Sequence, residues 1–339
     1  MAKPAAPTFS YRSGVRVRDS ILSCDATAGS DLIFLSHAAA LDARAARQLP
    51  RPRAGRRQIL ASETTLALLG NAGARLRPHS LTPAFGRPFV LGGLRLEMFA
   101  AGHLPGAASL LCEVGAQRIV YASPVASAAW PPARPADVRT ADAVCVDGTF
   151  AQPRFVFPPD DQALAAVQAH VGEAAARGKA AVVLARPLGP ALELANALAA
   201  AGITVRAHRQ VIAARAAFVE AGIAVAPLLR FAGHLPPGET LLWPPDQHDA
   251  GLVKALPATV RILASAWAVD PDVVSRLGAD RAVPLSNVGG FADVLGYVAS
   301  TGAREVAIRH AADDQLAAAL TARGLTAYPV GPPQQISLF

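Results

Sequence analysis

The spacing of apolar residues changes character part-way along the chain. Up to about residue 150 they come as short runs and alternations: 15–24 alternates, 31–35 is a compact run, and 89–99, 109–114, 118–121 and 143–146 follow suit. A period of two puts every second side chain on one face of an extended backbone, so these segments predict strands. Two helices are predicted in this stretch, over 38–48 and 63–71. Ser62 precedes the second, where its hydroxyl can accept from an otherwise unpaired N–H of the first turn. From Asp160 onward longer amphipathic blocks predict helices at 160–177, 190–201, 211–221, 290–300 and 313–323. Between them, apolar runs at 181–184, 203–207, 261–264, 305–308 and 326–329 predict strands, and the segment 281–285 follows the third of these. This alternation is the rhythm of a parallel sheet covered by helices, and the fold class is α/β.

With 339 residues, 52% hydrophobic and 17% charged, the chain can bury a sizeable core and is not globally disordered. No run of 18 apolar residues occurs, because charges, prolines or glycines interrupt each one. Residues 1–13 lack the apolar stretch of a signal peptide. The expectation is a soluble, cytoplasmic protein that spans no membrane. Cys24, Cys112 and Cys145 match neither a disulfide framework nor a CxxC zinc pattern. Each sits among apolar neighbours, as a small buried thiol does.

The formal net charge is +7, and of 32 basic residues only Lys3, Lys179 and Lys254 are lysines. The excess is densest at Arg44, Arg47, Arg51, Arg53, Arg56 and Arg57, with no acid among them. Arginine forks match phosphate oxygens, so one reading of this run is a nucleic-acid-binding surface. The other is coding bias, since arginine and alanine codons are both GC-rich.

Five regions in fixed order carry a family resemblance. LIFLSHAAALD (32–42) is similar to the strand and loop bearing the SHAHADH ligand motif of metallo-β-lactamase-fold hydrolases. AAGHLPGAA (100–108) resembles the AGHxLGSA segment of their β-CASP branch, nucleases that act on RNA and DNA. ADAVCVDGTF (141–150) resembles the branch's ADxLxxECTF motif, and SAWAVDP (265–271) its SGWAxDP. PLSNVGGF (284–291) and YVASTGAREVAIRH (297–310) resemble PLSDHADF and YVxxTGAxxVxxVHG. The chain is similar, over nearly its whole length, to bacterial β-CASP nucleases of the ligase-associated and mRNA 3′-end-processing kinds. The resemblance implies a metallo-β-lactamase αβ/βα sandwich with an inserted β-CASP cap. Residues 1–151 would form the first part of the core, 152–279 the cap, 280–330 the second part of the core and 331–339 an extended tail. Substrate would bind between core and cap.

A two-metal hydrolase needs about seven protein ligands, including a carboxylate that bridges both ions. At the SHAHADH positions this chain has Ser36, His37, Ala38, Ala39, Ala40, Leu41 and Asp42. The first histidine stands; Ala39 and Leu41 have no lone pair to give, and Asp42 replaces the last histidine. His103 survives in the next motif. The bridging carboxylate belongs in a YxGD motif, but after Tyr121 the chain reads Ala122, Ser123, Pro124. In SDHADF the histidine is the general acid; Asn287 and Val288 stand there instead. His310 keeps the final histidine, and Asp147 stands for the acidic residue of ECTF. His37, Asp42, His103 and His310 thus read as vestigial metal positions, with Ala39, Leu41 and Pro124 as lost ligand positions and Val288 as the lost acid. His79, His170, His208, His234 and His248 fall outside the motifs and form no replacement cluster. No cofactor is expected; the alternative is one weakly held zinc on the remaining imidazoles and carboxylate.

Gln335, Ile336, Ser337, Leu338 and Phe339 resemble the QL(S/D)LF peptide by which bacterial DNA polymerases and repair proteins dock on the sliding clamp. Leu338 and Phe339 would fill an apolar pocket while the Gln335 amide bonds at a second subsite. Pro332 and Pro333 favour the extended geometry such a peptide needs. The other reading is a last strand whose Ile336, Leu338 and Phe339 cover the core. Together these features imply a catalytically inactive β-CASP-like protein of bacterial DNA repair or processing. It would act by binding DNA or RNA, the sliding clamp, or an active nuclease, helicase or ligase. An active exonuclease with a rebuilt site, and a structural subunit paired with an active nuclease, are the rival readings.

Overall fold

The computed structural model describes residues 6–28, 31–40, 58–126, 135–257 and 259–332. The chain divides into two compact units, Met1–Pro153 with Val288–Phe339, and Arg154–Asn287.

The first unit opens with β1 (Phe9–Tyr11), β2 (Val15–Val17) and β3 (Leu22–Cys24), each antiparallel to the next. The alternating segment 15–24 is therefore two strands rather than one. Asp19, at φ 53°, lies in the turn between them, in the left-handed region that Asp tolerates better than most residues. β4 (Leu32–Phe34), β5 (Gln58–Leu60) and β6 (Ser80–Leu81) extend the sheet in parallel. Residues 38–40, the described start of the helix predicted over 38–48, form a turn and bend instead, with the Ala40 amide bonded to the His37 carbonyl. The single helix predicted over 63–71 is two, α1 (Glu63–Leu68) and α2 (Asn71–Leu76). Gly70 separates them at φ 55°, a conformation open to a residue without a Cβ. Ser62 caps α1 as expected, accepting from the Thr65 amide at 3.0 Å.

The second sheet starts with β7 (Phe89–Leu91), β8 (Leu94–Ala100), β9 (Ala108–Val114), β10 (Gln117–Tyr121) and β11 (Ala143–Asp147). The predicted strand 89–99 is a hairpin, because Gly92 and Gly93 both take positive φ.

The Arg154–Asn287 unit is a sheet of β12 (Ala180–Leu184), β13 (Val205–Ala207), β14 (Leu229–Arg230), β15 (Thr240–Trp243), β16 (Thr259–Ala264) and β17 (Arg281–Val283). The order is β14-β13-β15-β12-β16-β17, every pairing parallel. Its helices include α3 (Asp160–Ala176), α4 (Pro190–Ala200) and α5 (Arg209–Glu220). All five residues of β12 are buried, which is why it reads as a continuous apolar run. β15 is a strand that the apolar pattern did not predict. β17 pairs with β16, so residues 281–283 belong to this sheet and not to a second core segment beginning at 280.

Two further helices, α6 (Gly251–Lys254) and α7 (Pro271–Arg276), complete that unit. The chain then adds α8 (Phe291–Thr301), β18 (Glu305–Arg309), α9 (Gln315–Thr321) and β19 (Thr326–Val330) to the first unit. The second sheet runs β19-β18-β11-β10-β9-β8-β7. Side chains alternate across each strand, and this builds three apolar layers. Phe9, Leu22, Phe34 and Leu60 of the first sheet share a core with Leu96, Met98, Leu110 and Tyr121 of the second. On the outer face of the first sheet, Ile33, Leu35 and Ile59 pack with Leu66 of α1 and Leu76 of α2. On the outer face of the second, Val120, Val144 and Val146 pack with Val298 of α8 and Leu320 of α9. The unit is thus a four-layer helix–sheet–sheet–helix sandwich. Cys24, Cys112 and Cys145, scattered in sequence, all lie in the core between the sheets as free thiols. Burial raises all three thiol pKa values, Cys112 to about 12, so they stay protonated and inert. Among the described residues no helix is long and apolar enough to cross a membrane.

Candidate functional site

The motif residues of the first unit converge at strand ends. Asp25 follows β3, Ser36 and His37 follow β4, Tyr121 closes β10, Asp147 closes β11 and Arg309 closes β18, with His310 next. The ends of parallel strands are where loops of an α/β fold present side chains together. The backbone ties the loops directly: the Ala108 amide bonds the Ser36 carbonyl at 2.8 Å, joining the 100–108 segment to the 32–42 segment.

Asp25 is the hub. Its carboxylate accepts from the Ser36 amide at 2.8 Å, the Ser36 hydroxyl at 2.7 Å, the Tyr121 hydroxyl at 2.8 Å and the Arg309 guanidinium at 2.6 Å. Its side chain is 1% exposed and that of Arg309 13%. Burial alone would push the Asp25 carboxyl up; Arg309, His37 and the two bonds from Ser36 hold it below its usual value. Burial likewise pushes the Tyr121 hydroxyl up, so it remains a donor. Arg309 also donates to the Tyr121 oxygen.

His37 is oriented through Nδ1, which faces the Ser36 hydroxyl at 2.8 Å and the Ser123 hydroxyl at 3.2 Å. His103 stands edge-on to it, ring centroids 4.5 Å apart at 82°. Two of the three histidines of the resembled motifs are therefore brought together. His310 stands apart with Asp147: its Nδ1 lies 2.8 Å from the Asp147 carboxylate, and its Nε2 accepts from Arg309 Nε at 3.3 Å. Both imidazole nitrogens of His310 are thus engaged by protein groups, at a backbone φ of 55°.

The second glycine of AAGHLPGAA has a physical reason. Gly106 takes φ +76°, and a Cβ there would sit 2.6 Å from Thr64 Cβ and 2.8 Å from the Thr65 amide. Its carbonyl accepts from the Ser62 and Thr65 hydroxyls at 2.6 and 2.9 Å, fastening the His103 loop onto the start of α1. Gly106→Ala is expected to lower stability by about 1–3 kcal/mol, read as a shift in the urea midpoint, without removing any chemical group.

Asp147 gives the site a pH signature. Burial acts to raise its pKa, but the bond and charge from His310, with bonds from Thr149, bring it down to about 2. A carboxyl depressed in the folded state stabilises above its unfolded pKa, and that contribution is lost as pH falls from about 4 through about 2. The His310 side chain is 51% exposed, so solvent screens part of the effect, leaving about 1–2 kcal/mol. Asp147→Asn should flatten this acid limb in pH-dependent unfolding, lowering stability near neutral pH while leaving it almost unchanged below about pH 2.

The donors do not fit the two-metal group that the resemblance implies. Ala39 and Pro124 supply no lone pair at two of its positions, Val288 stands at the position of the general acid, and Leu41 and Asp42 lie outside the described residues. Among the described residues no three His, Cys, Asp or Glu side chains gather so as to hold a metal ion. The arginine run Arg44–Arg57 and the segment Gln335–Phe339 also lie outside the described residues. Sequence reasoning missed Asp25 and Arg309. A signal was present for Arg309, which stands where the resembled stretch reads valine; Asp25 shows only as a charge closing an apolar run.

No family model matches the chain. Among curated proteins it is similar to one named Probable DNA ligase from Opitutus terrae, at 27% identity over 282 residues. The match takes in 83% of this chain and 28% of that protein, so the chain spans little more than a quarter of its relative's length.

Proposed function

We propose that this chain is a catalytically inactive relative of the bacterial β-CASP metallo-β-lactamase-fold nucleases and acts as a binding module in DNA processing. One observation carries the reading. His37 and His103 meet edge to face at the strand ends, while Ala39, Pro124 and Val288 occupy positions where hydrolysis needs two ligands and a general acid. Without a bridging carboxylate or an acid to protonate the leaving oxygen, phosphodiester cleavage loses both its activated water and its proton donor. The ordered motifs and the four-layer sandwich support the family; the relative named Probable DNA ligase supports DNA as the context and a ligase as a neighbour in it. Within this reading the Arg44–Arg57 run contacts DNA phosphates and the Gln335–Phe339 segment docks on the sliding clamp. A ligase, helicase or active nuclease is then the partner that performs chemistry.

The test is elemental analysis of purified protein together with a nuclease assay in added manganese or zinc. Far less than one equivalent of metal and no cleavage are expected. Stoichiometric zinc that vanishes in His103→Ala, or cleavage that vanishes in His37→Ala, means that the active exonuclease reading is correct.

A further inference from the structure

We infer that the Arg309 guanidinium is the resident cation of this site, supplying the positive charge around which the strand-end loops are organised in place of a metal ion. The inference rests on the family reading above. Its starting point is a charge that the resemblance does not contain: YVASTGAREVAIRH places Arg309 where YVxxTGAxxVxxVHG has valine. Inserting a guanidinium at the end of a buried strand is costly unless its charge and donors are all met. Here its charge and three of its five donors are met by groups that line the site, and the side chain stays 13% exposed. Arg309 donates to Asp25 Oδ2 at 2.6 Å and to the Tyr121 oxygen, lies 5.9 Å over the Tyr121 ring, and reaches His310 Nε2 through Nε. Asp25 passes the connection on through the Ser36 hydroxyl to His37 Nδ1, and His37 meets His103 edge to face. One cation therefore links the ends of β3, β4, β10 and β18, and through His310 that of β11. The same residue neutralises Asp25, the most deeply buried carboxylate of the centre, and so removes the negative charge that would draw a second cation in. Loss of ligands and gain of arginine are, on this reading, two halves of one change. The fold has become independent of metal because the charge is now covalently attached.

The experiment is thermal unfolding of the full chain, with chelator and with added zinc, for the unmodified protein, Arg309→Met, Arg309→Lys, Asp25→Asn and the double variant Asp25→Asn/Arg309→Met. The unmodified protein should unfold at the same temperature in chelator and in zinc. Arg309→Met, which leaves Asp25 charged and buried, should lower the midpoint by on the order of 10 °C. The double variant should lose clearly less than the sum of the two single losses, since each partner is costly chiefly when the other is missing. If Arg309→Met does not fold, Arg309→Lys, which keeps the charge, should fold and stay indifferent to zinc. A zinc-free protein in which the two single losses simply add, or in which Arg309→Lys is as damaging as Arg309→Met, overturns this inference and leaves the inactive reading standing. Stoichiometric zinc that raises the midpoint of the unmodified protein overturns both.

Discussion

Deleting residues 335–339 is expected to abolish binding of this protein to a bacterial sliding clamp. Short docked peptides concentrate their energy in a few apolar anchors, and in the proposed docking mode those are Leu338 and Phe339, with Gln335 set three residues before the first of them. The determinant is therefore local and portable. A synthetic peptide ending in QQISLF should bind the clamp with a Kd in the micromolar range, about −8 kcal/mol. Leu338→Ala and Phe339→Ala should each weaken it by about 2 kcal/mol, roughly thirtyfold. Ser337→Ala should change little. Surface plasmon resonance on immobilised clamp reads all of these. Unfolding of the truncated chain separates docking from the alternative of a last strand. A truncated protein that still unfolds at the original temperature is the expected result. A fall of several degrees, with a peptide that does not bind, assigns Ile336, Leu338 and Phe339 to the protein's own core instead.

The second large effect is a collapse of DNA affinity with salt. If the six arginines between Arg44 and Arg57 each neutralise a phosphate, log K should fall against log salt with a slope of about −5. Raising salt from about 50 to about 200 mM then costs about 10³-fold in affinity, with little dependence on sequence. Replacing Arg53, Arg56 and Arg57 by glutamine should roughly halve that slope and weaken binding most at low salt. Fluorescence anisotropy with a labelled duplex and a labelled single strand measures both. A protein that binds neither at low salt would make coding bias the better account of its arginines. A slope unaffected by the triple substitution would move the contact elsewhere on the surface.

The sequence by itself determined whatever depends on local periodicity or on the chemistry of one side chain. Alternation and helical spacing located most strands and helices, because a period is a property of neighbouring residues. That Ala39 and Pro124 cannot serve as ligands was legible for a similar reason: a side chain without a lone pair cannot hold a metal in any surroundings. Where the chain turns back was less legible. Asp19, Gly70 and the Gly92–Gly93 pair each cut a predicted element in two, since one left-handed residue interrupts the backbone without altering the apolar pattern around it. Only the tertiary structure decided what meets what. Asp25 and Arg309 are 284 residues apart, and their pairing follows from strand order, with β3 in one sheet and β18 in the other across a shared core. The same stacking gathers three cysteines that sequence leaves scattered, and it brings His37 and His103 into contact. A buried charge must find its partner, but nothing local specifies which one; that choice belongs to the packing of the two sheets.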